Sequence, residues 1–512
     1  MSIGGVFQLI TNDGIQDKLI MATDKLRERI KEIGCKKLKE LRSMNPGKTD
    51  QQLLKLDTSW MPSLAAIEKT HIVFINSTFK PFVAMAFEYS KTMPTGGTAP
   101  KLGSSMSFTL PVYGEFVNDA VVYIKLDNFQ AVLNADKVRY VEMIGHRLFK
   151  RTSFKLNQQE LDSYTPEKYN IHWQYKVPVG KEEGWLKNIG QEVPKLGFLT
   201  ADPTNDEVRE YRWFGDGPQT FRSVQPALEM WIPLLFWFKD IQTALPNFLF
   251  PHGQTNIDID LESESNLVAY ANYSNTTDAV YTPPTVTDCA LYVNHIFLLP
   301  ELHKIFVAKF GFQLIRVTKA INEIPLQTSQ GSVLLQAIKW PVESLYIAFR
   351  PSANLTNSQR WHRNTIITQN SVKEAVVTGV ATIQVNTALY YSEVPVVTSL
   401  ELRAHDTIIR PSMPPSFYNS YVPTRFGSNI KTPRDIGWYL MSFSANPGEY
   451  QPSGHLNTSR ERELNLHYVS AVDPNTSQPY IRTNNPIKLI VVAECINFLL
   501  IQNNTAVLRF AT

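Results

Sequence analysis

From Thr70 to the end of the chain, apolar residues arrive in short runs rich in Val, Ile, Phe, Tyr and Trp, with prolines, glycines and asparagines clustered between them. This is the pattern of β-strands and their turns: β-branched and aromatic side chains suit a pleated, half-buried surface, and Pro and Gly fix the reversals. His71 to Ile75, Phe82 to Phe87, Met106 to Leu110 and Ala120 to Ile124 open the series. Leu291 to Leu299, Phe310 to Val317, Val333 to Trp340, Leu345 to Phe349, Val376 to Val385, Val396 to Leu402, Gly437 to Phe443, Leu464 to Tyr468, Ile487 to Val492, Ile496 to Leu500 and Ala506 to Phe510 continue it. With 32 prolines against 24 glycines in 512 residues, the chain is predicted to be all-β, its later part filling one eight-stranded sandwich.

Between these runs lie less regular stretches. Residues 157–224 are polar and glycine-dotted and read as long inter-strand loops. Leu228 to Phe238 is densely apolar, and Pro233 inside it excludes a helix interior and marks a strand edge or bend. Asn256 to Leu261 alternates strictly, which reads as a strand whose Asp258 and Asp260 form a charged face that blocks edge pairing. Pro300 to Lys309 reads as a short helix between two β-domains. The expected division is a base segment at 1–69, a first sandwich at 70–299, a connecting helix at 300–309 and a second sandwich at 310–512.

The N-terminal segment differs. Ile15, Leu19, Ala22, Leu26, Ile30 and Ile33 recur at helical spacing, and Lys25 to Arg42 is predominantly basic. One reading is a solvated face on a helix packed under the main body, a second is a basic face directed at an acidic membrane or another acidic surface, and a third is a nucleic-acid contact. The Gly47-Lys48-Thr49 that follows is not a phosphate loop, since the position of its first glycine holds Arg42 and no strand precedes it.

The composition narrows function by exclusion. A net charge of +3 on 512 residues gives no basic excess that would make nucleic acid the partner. Charged residues are only 19%, below the roughly 25% of an average soluble chain, so much of the surface is expected to be covered by subunit contact. The cysteines Cys35, Cys289 and Cys495 form no disulfide framework and suit a reducing compartment. No His-x-His, His-Glu-x-x-His, Cys-x-x-Cys, Gly-x-Ser-x-Gly or Gly-x-Gly-x-x-Gly occurs, so no metal, cofactor or catalytic residues are assigned. His303 and His362 are expected at a surface or an interface. The competing reading is a carbohydrate-binding protein or glycoside-acting enzyme built on the same β-sandwich architecture, because carboxylate spacing belongs to the fold and not to the sequence.

Near the end, Asn446-Pro-Gly-Glu-Tyr450-Gln451-Pro452-Ser453-Gly454-His455-Leu456-Asn457-Thr458-Ser459-Arg460 holds two Pro/Gly points that impose a shaped loop, and it feeds a strand at Leu464, Leu466 and Tyr468. This stretch, with Gly4 to Gly14, Phe79-Lys-Pro-Phe82, Trp231 to Phe238, Leu314 to Val317, Lys339-Trp-Pro341, Lys431-Thr-Pro433 and Ile496 to Leu500, resembles the double jelly-roll major capsid proteins of large nucleocytoplasmic DNA viruses. Within them it is similar to the group of African swine fever virus and its amoebal relatives.

The resemblance implies two eight-stranded jelly rolls side by side, a homotrimer of pseudo-hexagonal outline, and an icosahedral outer capsid over an internal membrane. It implies contact with neighbouring capsomers, minor capsid and penton proteins and a folding chaperone, and manufacture in a viral factory of the host cytoplasm. Tyr450, Gln451, Pro452, Ser453, Gly454, Asn457, Ser459 and Arg460 become the candidate structural and assembly loop. Lys36, Lys37 and Lys39 become the candidate membrane-facing base, meeting the inner membrane or an inner-layer scaffold.

Overall fold

The structure is a computed structural model that describes residues 32, 35–47, 49 and 85–510 apart from short gaps, the longest at 200–209, 272–279 and 305–310. The helix expected at Ile15 to Ile33, the strand at His71 to Ile75 and most of the connector at 300–309 lie outside the described residues. Two compact units emerge. The smaller comprises Met1–Glu88, Tyr113–Glu115 and Ile296–Phe306. In it, residues 35–44 form a helix that stops at Asn45-Pro46-Gly47, where Gly47 adopts φ 103° and the Asn45 N–H closes the last turn on Leu41 O at 3.0 Å.

The larger unit holds two β-sandwiches, apart from Met85–Glu88 of their first strand and Ile296–Leu298 of their eighth. The strands numbered here in chain order are β1 Met85–Thr92, β2 Ser105–Thr109, β3 Phe116–Leu126, β4 Phe149–Leu156, β5 Gln159–Tyr164, β6 Leu228–Pro233, β7 Thr255–Leu261 and β8 Val286–Leu298. They form two four-stranded sheets in the orders β1-β8-β3-β6 and β2-β7-β4-β5. The second set is β9 Phe312–Leu326, β10 Gln330–Leu334, β11 Pro341–Pro351, β12 Val397–Ala404, β13 Thr407–Met413, β14 Trp438–Ser442, β15 Leu464–Ser470 and β16 Ile487–Gln502. Its sheets run β9-β16-β11-β14 and β10-β15-β12-β13. Position for position the two orders are the same, first-eighth-third-sixth and second-seventh-fourth-fifth, so the chain is a double jelly roll.

Alternation fills each sandwich. In β3 the even-numbered Val122, Ile124 and Leu126 are buried while Val121, Tyr123 and Lys125 face outward. In the second roll Phe349 of β11 meets Tyr468 of β15 across the two sheets, ring centroids 5.9 Å apart. Burying each such side chain contributes roughly 1.5–3 kcal/mol.

Four expectations change. Residues 157–224 are not loops alone: they contain β5, a helix at Pro166–Ile171, a π-helical turn at His172–Lys176, a helix at Glu182–Asn188 and the hairpin Lys195–Leu199 with Glu210–Phe214. The runs at 487–492 and 496–500 are one strand, β16, because Glu494 between them finds a cation elsewhere. The run at 376–385 spans the end of one strand and the start of the next, Ile366–Thr378 pairing antiparallel with Thr382–Val394. Asp258 and Asp260 do not guard an edge, since β7 lies between β2 and β4; Ser107 and Ser105 donate to them, and Lys155 Nζ pairs with Asp258 at 2.7 Å.

Candidate functional site

In the larger unit, the connection that leaves β5 lies against the outer face of the β9-β16-β11-β14 sheet and joins the two rolls. Thr165, Pro166 and Glu167 start it as a helix: Thr165 is extended, Pro166 brings a preset φ to the first turn, and Glu167 suits the N-terminal end of the dipole. The π-helical turn that follows shifts the register and presents Trp173, Gln174, Tyr175 and Lys176 in succession.

Each of these side chains meets the second roll. Arg350 of β11, 2% exposed, donates through both terminal nitrogens to the two Glu167 oxygens at 2.8 and 2.7 Å, and to Glu323 at 3.3 Å. Burial opposes its charge, but Glu167 and Glu323 outweigh that and hold its pKa above the usual value. Lys176 Nζ reaches Glu494 of β16 at 2.5 Å, and the Tyr175 and Tyr346 rings lie 5.1 Å apart. Burial works to raise the Glu494 pKa, yet Lys176, with Arg316 and Lys168, draws it down to about 2.

A second cluster closes the joint. Glu182 accepts from Lys431 Nζ at 2.5 Å and from Arg434, and Lys431 stands 4.8 Å above the Trp173 ring. Gln174 Oε1 accepts from the Arg434 and Asp435 N–H groups at 2.8 and 3.2 Å, and Tyr175 O accepts from Lys431 N at 2.9 Å. Trp361 Nε1 donates to Glu142 O at 2.7 Å, and His362 lies 3.3 Å from Glu142, so His362 belongs to this internal interface. Between the joint and the loop at Gly448 to Tyr450 lies a cleft of about 920 Å³.

The 450–460 segment is tied to its own roll. Arg316 of β9 clamps Glu343 at 2.6 and 3.2 Å and donates to the Glu449 carbonyl and, at 3.4 Å, to the Tyr450 carbonyl. Ser453 Oγ lies 2.6 Å from Ser444 Oγ and accepts from Asn446 N at 2.8 Å. Gly454 has φ 151°, and a Cβ there would stand 2.7 Å from Phe443 O. Asn457 Oδ1 accepts from Ser459 N at 3.1 Å and caps the 3₁₀ turn Thr458–Arg460. The buried Thr458, which the candidate set omitted, accepts from Trp340 N at 3.0 Å, and its hydroxyl lies 2.8 and 2.9 Å from the Ile338 and Trp340 carbonyls. Pro452 is half-buried, while the side chains of Tyr450 and Gln451 face out.

The basic residues of the base stand on the 35–44 helix. Lys36 and Lys39 are exposed, and Lys37 pairs with Glu40 at 3.2 Å. The joint residues Glu167, Lys176, Glu182, Arg350, Lys431, Arg434 and Glu494 were not picked out from the sequence as a site. The visible signal was Thr165-Pro166-Glu167, a helix start inside a stretch read as loop. Among the described residues no group of three or more His, Cys, Asp or Glu is placed to hold a metal ion.

Comparisons with known proteins agree with this geometry. Residues 79–299 match the family described as major capsid protein N-terminus, and residues 303–507 match large eukaryotic DNA virus major capsid protein. Hexon protein p72 of African swine fever virus is 28% identical in an alignment of 672 positions that takes in 100% of both chains. The solved Faustovirus major capsid protein superposes with a TM-score of 0.73 at 29% identity, over 96% of this chain and 100% of that one. The PBCV-1 capsid chain shares the fold with a TM-score of 0.61 at 16% identity, over 86% of this chain and 100% of its own. These relatives are structural, so the glycoside-acting alternative gives way. Two jelly rolls locked by charge pairs are the work this sequence specifies, and the chain belongs to the major capsid proteins of the large eukaryotic DNA viruses, a structural protein and not an enzyme.

Proposed function

We propose that the chain assembles as a homotrimeric capsomer of pseudo-hexagonal outline that tiles an icosahedral outer capsid over an internal membrane. The observation that supports this reading is the repeated strand order: two equivalent blocks per chain become six around one axis when three chains close into a ring. On this reading residues 70–299 and 310–512 are the two blocks, 300–309 connects them, and 1–69 is the base. Lys36, Lys37 and Lys39 face the inner membrane or an inner-layer scaffold. Neighbouring capsomers, minor capsid and penton proteins and a folding chaperone are its partners, and it is made in the cytoplasmic viral factory.

The 450–460 segment contributes geometry. With its backbone anchored by Arg316 and Thr458, the outward Tyr450 and Gln451 are held in fixed positions where a neighbouring subunit can meet them. Light scattering on the purified assembled protein gives three times the monomer mass if the reading is right, and electron microscopy of the particles gives six-lobed tiles. A protein that stays a folded monomer overturns it.

A further inference from the structure

The outer face of the first-eighth-third-sixth sheet is treated differently in the two rolls. In the second roll it is covered: Tyr346 and Arg350 of β11 are each 2% exposed, under the first roll's Tyr175, Lys176 and Glu167. Among the described residues, the same face of the first roll, β1-β8-β3-β6, is partly exposed around Trp231 and Tyr89. Aromatic rings cluster on it. Trp231 of β6 lies 4.8 Å from Tyr123 of β3 and 5.1 Å from Tyr292 of β8, and it remains 39% exposed. Tyr89 of β1 stands 55% exposed on the same sheet. Around these rings sit Asp288 and the Lys125–Glu229 pair at 2.9 Å. An aromatic centre with a charged rim is the anatomy of a protein–protein contact.

The element that covers the second roll has a counterpart in the second roll itself. In the first roll the cover follows β5 and contains the π-helical turn His172–Lys176. In the second roll the connection from β13 to β14 also contains a π-helical turn, Phe417–Tyr421, followed by a helix at Val422–Arg425. Position for position, buried Trp173 and Gln174 correspond to buried Tyr418 and Asn419. At the outward end, where the first turn places Lys176, the second places Tyr421, 55% exposed and stacked on Phe417 at 5.2 Å. Arg425, also exposed, follows it.

We infer that the Trp231 face of one copy receives the Phe417–Arg425 elbow of a second copy, repeating between chains the cover that the first roll provides to the second within a chain. The contact is head-to-tail, so it places different patches together and closes into a ring when the rotation permits. Trp231, Tyr123 and Tyr292 supply the apolar floor, Tyr421 packs on it, and Arg425 meets the acidic rim of Glu229 and Asp288. This rests on the trimeric reading and adds which surfaces make it.

Two variants test it on the assembled protein. Trp231→Glu and, separately, Tyr421→Glu are expected to lower the mass threefold, to that of one chain, with an unchanged far-ultraviolet circular dichroism spectrum. In a Cys35→Ser background, Trp231→Cys combined with Tyr421→Cys is expected to give chain-to-chain disulfides on mild oxidation, running as dimers and trimers on a denaturing gel; this assay uses the native assembly and does not depend on the glutamate variants folding. If the wild type is trimeric but both glutamate variants remain trimeric and no cross-link forms, this pairing of surfaces is wrong and the trimer stands. If the wild type is monomeric, the trimeric reading fails and this inference with it.

Discussion

Glu167 and Arg350 stand 183 residues apart in the chain and meet in a two-pronged pair that fastens one jelly roll to the other. Arg350 is buried and Glu167 mostly so, and each charge depends on the other for what water no longer supplies. Arg350→Met strands the Glu167 carboxylate and is expected to destabilise the chain by about 3–5 kcal/mol. The double substitution Arg350→Met with Glu167→Met is expected to recover most of that loss. A double-mutant cycle by denaturant unfolding measures both.

Gly454 and Gly437 are positions where backbone touches backbone. A Cβ on Gly437 would stand 2.3 Å from Asn364 O, and on Gly454 2.7 Å from Phe443 O. Alanine at either is expected to cost on the order of 1–3 kcal/mol. Gly180→Ala, with open space around it, is expected to change the melting temperature little. Thermal unfolding of the three variants checks the contrast.

Acid should loosen the fold from a definite side. Burial lowers the pKa of His146 to about 3 and of His295 to about 4, and pushes that of His362 well below its ordinary value. Trp185 Nε1 donates to His146 Nε2 at 2.9 Å, which requires that nitrogen to be unprotonated. The unfolded chain therefore binds more protons than the folded one below about pH 6.5, so this contribution is intact above that pH and is lost as pH falls toward the folded values. Glu494 adds to the loss between about pH 4.5 and 2, while Asp162 and Asp435, whose pKa values burial raises, act in the opposite direction. Stability measured from pH 7 to pH 4 is expected to fall, and His146→Gln is expected to flatten the slope.

The three cysteines should separate cleanly. Cys35 is exposed, whereas Cys289 and Cys495 are buried, and burial pushes the Cys289 thiol up to about 12 and Cys495 higher still. Maleimide is expected to label only Cys35 in the native protein and all three in denaturant, read by mass spectrometry.

The basic residues of the base have their own test. Replacing Lys36, Lys37 and Lys39 with glutamate is expected to weaken binding to anionic vesicles by at least tenfold while trimers persist, since each basic residue near such a surface is worth roughly 1 kcal/mol. Unchanged co-flotation of the variant would remove the membrane-facing role.

How much of this was readable in the sequence depended on where the controlling partner sits. Strands whose burial follows their own alternation, such as β3, β7 and β15, were visible because residues two apart share a face. The continuity of β16 was not, because Glu494 looks like an interruption until Lys176 of the other roll is placed against it. Asp258 misled for the same reason: its hydrogen-bond donor Ser107 and its counter-charge Lys155 come from neighbouring strands. The 450–460 loop showed its shape through Pro452 and Gly454, but its anchors, Arg316 and the backbone at 338–340, lie more than a hundred residues upstream. The helix at Pro166–Ile171 was legible locally and was masked by the glycine-dotted stretch around it.

The closing of the joint also has an order in time. Lys176 and Glu494 are 318 residues apart, and β16, which carries Glu494, lies between β9 and β11 in its sheet. During synthesis at about 5–20 residues per second, the first roll's connection waits on the order of tens of seconds before the strand it must grip leaves the ribosome. Through that interval Lys176 lacks its partner, and the second roll's principal sheet lacks an interior strand. A nascent chain with its joint unmade is a sticky, slow-folding species. The same long-range pairing that fastens the two rolls together thus leaves the chain most exposed to misassembly just before it is complete.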